Sequence, residues 1–308
     1  MELRVLRYFL AVAREHSITK AAKILHVTQP TLSRQLQDLE EELGHSLMVR
    51  NNHHFQLTPE GILLRKRAEE VMEIIGKTEK EFQELKHSGI AGDIYIGGGE
   101  TAAMRSIVKV MNDVRQKFPA IRFHLYSGNA EDVMDRLDNG LLDFGLLLQP
   151  VEIEKYENIE LPDKECWGLL MRKDHPLAER SSILKQDILN TPLLCSRLTI
   201  RRSGVKNAVA EWFGKDFETL TIAASYNLIF NAALMVEGGI GCAIVMDKLA
   251  AVEATNGLCF RPFQPRLETG LNIVWKKQQV FNRAAEIFLI QLRKEVASKA
   301  LVFKESDD

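Results

Sequence analysis

The spacing of apolar residues divides the chain into stretches with different periods. Leu3, Leu6, Phe9, Leu10 and Ala13 recur at helical spacing. Ser17 stands as a cap before a short helix from Ile18 to Leu25, in which the small Ala21 and Ala22 let another helix approach closely. His26, Val27 and Thr28 make a tight connection, and Thr28 caps a third helix. Gln29 and Pro30 fall in its first turn, where the N–H that proline lacks has no intrahelical partner to lose. At about 100° per residue, Leu32, Leu36, Leu39 and Leu43 form one narrow stripe that packs on the first two helices. The far side carries Pro30, Ser33, Arg34 and Gln37, flanked by Gln29 and Thr31. Two short strands follow, Leu47 to Arg50 and Phe55 to Leu57, with the turn-forming Asn51 to His54 between them.

The next stretch has a heptad period. Thr58 caps it, with Pro59 at the first position and Glu60 complementing the dipole. Leu64, Ala68, Val71, Ile75, Thr78, Phe82 and Leu85 then repeat at alternating spacings of four and three, among charges of both signs. A helix this long and this polar cannot bury its seam alone. A second copy of the chain is preferred as its partner over the chain's own remaining residues.

After the glycine-containing break at 88–92, strands and helices alternate. Residues 93–97, 122–127 and 143–148 read as strands, with helices at 102–117 and 130–139 between them. A second set of strands and helices runs through 166–246, and the chain returns into a strand at 271–275 and a last amphipathic helix at 281–296. The tail from Glu305 is expected to be disordered. This order argues for an α/β fold with a parallel sheet and helices on both faces. Its two lobes are predicted at 91–161 with 268–308 and at 162–267, joined by crossings near Leu161–Asp163 and Gln264–Leu267.

Charge adds detail to the first 58 residues. They hold seven Lys or Arg against six Asp or Glu, and four of those acids crowd between Asp38 and Glu42. The edge opposite the leucine stripe offers hydrogen-bonding groups and one cation, a composition suited to base edges and phosphates in a major groove. The acids follow where the helix has left the groove. An ordinary solvated face is the plainer alternative. The hairpin then reads as a wing, with Arg50 as a phosphate ligand.

Other function classes find little support. The formal net charge of -2 provides no global basic field. Cys166, Cys195, Cys242 and Cys259 form no C-x-x-C pair and adjoin no histidine, which speaks against zinc or a disulfide framework. No nucleophile–base pair, phosphate loop or metal spacing marks an enzyme, and no cofactor is expected. Arg4, Arg7 and Arg14 interrupt the amino-terminal apolar residues, so no signal peptide or membrane span is expected and the cytoplasm is the expected place.

The run AAKILHVTQPTLSRQLQDLEEELGHSLMVR, continued by LTPEG, resembles the signature of LysR-type transcriptional regulators. The resemblance implies a winged helix-turn-helix over 1–57, a linker and dimerisation helix over 58–88, and an effector-binding domain over 89–308 similar in architecture to periplasmic solute-binding proteins. Thr28, Gln29, Pro30, Thr31, Ser33, Arg34 and Gln37 would then face DNA, with Arg50, Asn52 and His53 at the wing. The family usually places Arg or Lys near 53 and often glycine at 54. Here both are histidine, which weakens phosphate contact or makes it sensitive to pH. Met246 stands where the family commonly has proline. The implied partners are a double-stranded DNA operator, a small-molecule effector and a second copy of the chain, with dimers pairing into tetramers; RNA polymerase is a further candidate.

Strand ends locate the expected effector site, because ligands of open parallel sheets bind at carboxyl ends where helix N-termini point N–H groups into the crevice. Gly99, Glu100, Thr101, Ser127, Asn129, Gln149, Arg201, Ser203 and Asn227 stand at those ends. Thr101, Asn129, Ser203 and Asn227 also read as plain helix caps. The glycines at 97–99 suggest a close approach to the ligand, and Arg201 or Arg202 would offset Glu100, so a small polar or anionic metabolite is expected. Three alternatives remain: the same reader with cysteine oxidation as its signal, the same reader with no ligand, and a solute-binding protein.

Overall fold

In the computed structural model, which describes residues 1–51, 54–84, 89–150, 153–200, 207–248 and 257–306, the first unit, Met1–Gln83, is built on three helices. They are α1 (Leu3–Glu15), α2 (Ile18–Ile24) and α3 (Gln29–Leu43). Ser17 Oγ accepts the Lys20 N–H at 3.3 Å and Thr28 Oγ1 that of Thr31 at 3.4 Å, so both expected caps form. Leu32 and Leu36 are fully buried against Phe9, Val12 and Ala21. Each such leucine contributes roughly 1.5–3 kcal/mol. The stripe ends one turn earlier than expected. Leu43 is 37 % exposed, because the chain leaves the helix at Gly44, whose φ of +70° suits glycine. Leu3 is exposed too, and Val5 and Val12 join the core.

Strands β1 (Met48–Asn51) and β2 (His54–Leu57) pair antiparallel, Met48 opposite Leu57. Helix α4 (Pro59–Glu84) follows directly. Thr58 Oγ1 accepts the Gly61 N–H at 3.0 Å and donates to the Ser46 carbonyl at 2.7 Å. A Cβ on Gly61 would lie 2.0 Å from the Leu47 carbonyl oxygen, so only glycine lets the helix start this close to the hairpin. Leu64 packs on the core of the head and Ala68 is buried, so the first seam positions are engaged within the unit. Thr78 and Phe82 are exposed, Phe82 by 64 %. Leu85 lies outside the described residues.

The second unit, Glu84–Asp308, opens with β3 (Gly92–Gly98), α5 (Met104–Lys117), β4 (Ile121–Ser127), α6 (Ala130–Asp138) and β5 (Phe144–Leu148). Strand β6 (Tyr156–Arg172) leads into a second lobe of β7 (Ile183–Leu184), α7 (Lys185–Ile188), β8 (Leu193–Ser196), α8 (Arg197–Ile200), α9 (Ala208–Phe213), β9 (Ile222–Tyr226), α10 (Ile229–Glu237), β10 (Cys242–Met246) and β11 (Leu258–Gln264). The chain returns through β12 (Glu268–Lys276) to α11 (Arg283–Ser306), which runs into the tail expected to be disordered.

The sheet is mixed rather than parallel. Its order is β4-β3-β5-β12-β6-β10-β8-β9, with β11 beside β6. Strand β3 is parallel to β4 and β5, and β8 is parallel to β9 and β10. The crossing strands run against them: β12 is antiparallel to β5 and β6, and β6 to β10 and β11. The first crossing is no break. Strand β6 pairs with β12 through Cys166 and with β10 from Trp167 onward, so one strand serves both lobes. Ile94, Ile107, Phe144 and Phe288 centre one lobe core; Leu169, Leu193, Phe213 and Phe263 centre the other. Among the described residues no helix is long and apolar enough to cross a membrane.

Candidate functional site

On α3, Thr28, Gln29, Pro30, Thr31, Arg34 and Gln37 are exposed and Ser33 is half-buried. They share the face opposite Leu32, Leu36 and Leu39. Thr28 and Thr31 hold their hydroxyls 2.8 Å apart, and Gln37 Nε2 donates to Glu41 Oε1 at 3.3 Å. Arg34 has no ion-pair partner among the described residues, so its guanidinium is available to a phosphate or a guanine edge. The acids behind it have tasks of their own. Glu40 receives the backbone of β1, and Glu42 receives the terminal ammonium of Met1. Asn52, His53 and the side chain of Arg50 lie outside the described residues.

The second unit encloses a cavity of about 240 Å³ at the carboxyl ends of the strands of both lobes. One wall comes from the first lobe: Gly99 and Glu100 after β3, Asn129 to Glu131 at the start of α6, and Leu146 to Gln149 at the end of β5. The facing wall brings Ser196 and Thr199, Asn207 to Val209, Tyr226 to Ile229, and Val245 with Met246. Trp167 of β6 also lines it, its Nε1 donating to Thr269 Oγ1 at 2.6 Å.

Gly99, Glu100, Asn129, Gln149 and Asn227 are thus brought together around the cavity. Thr101 is not among them. It is buried, donates to Glu165 and accepts the Ala103 N–H at 3.2 Å, which turns it toward β6. Ser127 is exposed at the end of β4 and is absent from the lining. Arg201, Arg202 and Ser203 lie outside the described residues. Gly97 and Gly98 belong to β3, and a Cβ on Gly97 would come within 2.4 Å of Leu142 Cδ1. These two glycines admit neighbouring side chains, so the reading of 97–99 as a ligand turn narrows to Gly99. Asn129 caps α6 through the Asp132 N–H at 2.9 Å. At α10 the cap position falls on Leu228, and the Ile229 N–H is bonded by Glu100 from the other lobe. Gln149 Nε2 donates to Asn272. The sequence reading missed Trp167, Tyr226 and the apolar strand ends. Their only signal was position at the carboxyl end of a strand, which apolar residues share with any core.

Burial pushes Cys195 up to about 12 and Cys242 up to about 11, and it raises Cys166 and Cys259 as well. Among the described residues, no group of three or more His, Cys, Asp or Glu could hold a metal ion.

Comparison with known proteins agrees with both halves. Residues 3–62 match the bacterial regulatory helix-turn-helix protein, lysR family, and residues 87–297 match the LysR substrate binding domain. The HTH-type transcriptional regulator BsdA of Bacillus subtilis (strain 168) is 30% identical over 259 residues, covering 83% of this chain and 87% of BsdA. A hydrogen peroxide-inducible genes activator of Dickeya chrysanthemi is 28% identical over 286 residues, 90% of each chain. Full-length CbnR, solved in complex with its target DNA, superposes with a TM-score of 0.73 at 21% identity, covering 96% of this chain and 100% of that one. The two matched regions follow the division between the helical head and the α/β unit, and the chain belongs to the LysR family of bacterial helix-turn-helix transcriptional regulators.

Proposed function

We propose that this DNA-binding regulator is controlled by a small molecule held in the cavity between the two lobes of its effector-binding domain. Binding there shifts the lobes about β6 and the β11–β12 return, and the shift alters the arrangement of paired DNA-reading heads. The observation that carries the reading is the cavity itself. It is walled by the carboxyl ends of strands from both lobes, and a continuous strand joins those lobes. A ligand that touches both walls binds one lobe arrangement better than another, which is the condition for shifting a population. In this reading Thr28, Gln29, Pro30, Thr31, Ser33, Arg34 and Gln37 meet the operator. Val71, Ile75, Thr78 and Phe82 pair two chains into a dimer, which pairs again into a tetramer. The protein works in the cytoplasm without a cofactor and without catalysis, and RNA polymerase is the partner that reads the changed DNA geometry.

Thiol oxidation as the signal has less support. The relative from Dickeya chrysanthemi is named for induction by peroxide. Here, however, all four thiols are held above their ordinary range, and Cys242 and Cys259 stand in β10 and β11 on opposite sides of β6. The deciding experiment is a thermal-shift screen of the full chain against a metabolite library. Each hit is then tested for a changed operator footprint. At least one compound should raise the Tm and alter the footprint. A library without hits, alongside an intact footprint, removes the effector and leaves the DNA reader.

A further inference from the structure

Two consecutive residues of the turn after β3 are bonded in different directions. Glu100 accepts the Ile229 N–H at the start of α10, reaching from the first lobe to the second. Leu228, at the cap position of that helix, has no polar side chain with which to do so. Helix α10 is fixed to its own lobe, with Ala233 and Val236 buried against Leu170, Ala243 and Val245. A pull on its first residue therefore acts on the body of the second lobe.

Thr101 is bonded to the strand that the lobes share. It is buried and donates its hydroxyl to Glu165 Oε1, which also accepts the Ala103 N–H at 2.9 Å. Glu165 is 2 % exposed and stands one residue before Cys166, where β6 leaves β12 and passes to β10. Two residues earlier, Asp163 accepts the Ser106 hydroxyl at 2.8 Å and the Lys299 ammonium at 3.0 Å, which fastens the same part of β6 to α5 and α11. The turn thus grips the far lobe with one side chain and the crossing strand with the next. Gly99, Glu100, Leu228 and Ile229 all line the cavity, so an occupant of the cleft arrives at this bond.

We infer that Glu100 is a latch: its bond to α10, braced by Thr101 on Glu165, holds the two lobes together in the unliganded chain and sets the arrangement from which an effector moves them. A hydrogen bond to a charged group biases an equilibrium by about tenfold or more. That makes one arrangement dominant and leaves the other within reach of a ligand that prefers it. The consequence for DNA rests on the coupling of lobes to reading heads proposed above.

The test uses the full-length protein without added ligand and reads the cleft through Trp167, which lines the cavity, whereas Trp212 and Trp275 are buried in the lobe cores. Glu100→Ala should raise acrylamide quenching and shift the emission to longer wavelength. Glu100→Gln, which keeps size and an acceptor, should change both less. Thr101→Val lies outside the cavity lining and touches no residue of α10, yet it should open the cleft in the same direction. If that variant does not fold, Glu165→Gln, which weakens the brace and keeps an acceptor, takes its place. In a Trp167→Phe background the changes should vanish. Wild-type quenching in Glu100→Ala overturns the inference. So does a rise confined to Glu100→Ala, because the exposure is then local to the missing side chain. The operator footprint separates the latch from the reading it rests on. An opened cleft with an altered footprint supports both, whereas an opened cleft with an unchanged footprint keeps the latch and removes the coupling of lobes to heads.

Discussion

Glu40 Oε1 accepts the backbone N–H of Leu47 at 2.7 Å, tying the last turns of α3 to the first residue before the hairpin. The same oxygen accepts the Met48 N–H and the Ser46 hydroxyl, both at 3.3 Å. The acid cluster therefore does more than avoid phosphate: one member sets where the wing leaves the helix. Glu40→Ala strands two partly buried donors, and charged hydrogen bonds of this kind contribute about 1.5–3 kcal/mol. Urea unfolding of the amino-terminal transition should show a loss in that range, and Glu40→Gln, which keeps an acceptor, should lose less. An unshifted midpoint in the alanine variant would mean that water replaces the carboxylate.

Arg34 separates recognition from stability. It is exposed and has no ion-pair partner among the described residues, so Arg34→Ala should leave the Tm where it is. Operator affinity should fall by about 1–3 kcal/mol if the guanidinium reads a guanine. Fluorescence anisotropy at several salt concentrations distinguishes the roles. A base contact loses discrimination among operators, whereas a phosphate contact weakens all sequences alike and lowers the salt slope by about one. Unchanged affinity takes Arg34 out of the interface.

How much was legible beforehand depended on the range of the interaction. Ser17, Thr28 and Thr58 cap their helices as their spacing predicts, because a cap is a contact within three residues. The buried Leu32, Leu36 and Leu39 were equally plain, since one helix period decides them. Most strands were found but not their directions, and the first half of β6 and the whole of β7 and β11 were not read as strands. Apolar runs are alike in parallel and antiparallel pairs, so β12 lying between β5 and β6 had no sequence signature. The cavity followed the same rule. Its position at strand ends was readable, whereas the bond from Glu100 to Ile229 joins residues 129 apart and depends on the approach of two lobes.

The seam on α4 makes a prediction about mass. Ile75 is half-buried within its own unit and Ile74 is 37 % exposed, so this middle turn still offers apolar surface to a partner. Ile75→Asp places a carboxylate in that surface, where leaving it unpaired costs several kcal/mol. Light scattering should record a lower mass at concentrations where the wild type is associated. The same mass for both would move the pairing elsewhere.

Acid should weaken the second unit through Asp93. Burial alone would raise its carboxyl, but hydrogen bonds and charge from Arg122 and His124 outweigh it and hold the group below its ordinary value. A depressed carboxyl stabilises the fold above the unfolded value, about 3.9, and that contribution is lost as pH falls through the lower folded value. Urea unfolding between pH 7 and 3 should show the wild type more stable than Asp93→Asn at neutral pH and the gap closing below about pH 4. A gap independent of pH would assign the loss to packing.

The thiols provide the last check, because they separate a ligand-controlled regulator from an oxidation-controlled one. Thiolate, not thiol, attacks disulfide reagents and peroxide. Cys195, pushed up to about 12 by burial, and Cys242, pushed up to about 11, are neutral at any physiological pH. Both sit in interior strands of the sheet, β8 and β10, 0 % and 3 % exposed. A disulfide reagent at pH 8 should therefore react slowly with the native protein, and the denatured chain should titrate all four cysteines at once. Cys259, the least buried, should be the first to react in the native state. Labelling of Cys195 or Cys242 should proceed no faster than unfolding, and peroxide should leave operator affinity unchanged. Fast native labelling at either position, together with an affinity change under peroxide that Cys195→Ser or Cys242→Ser abolishes, would move the signal from the cavity to the thiols.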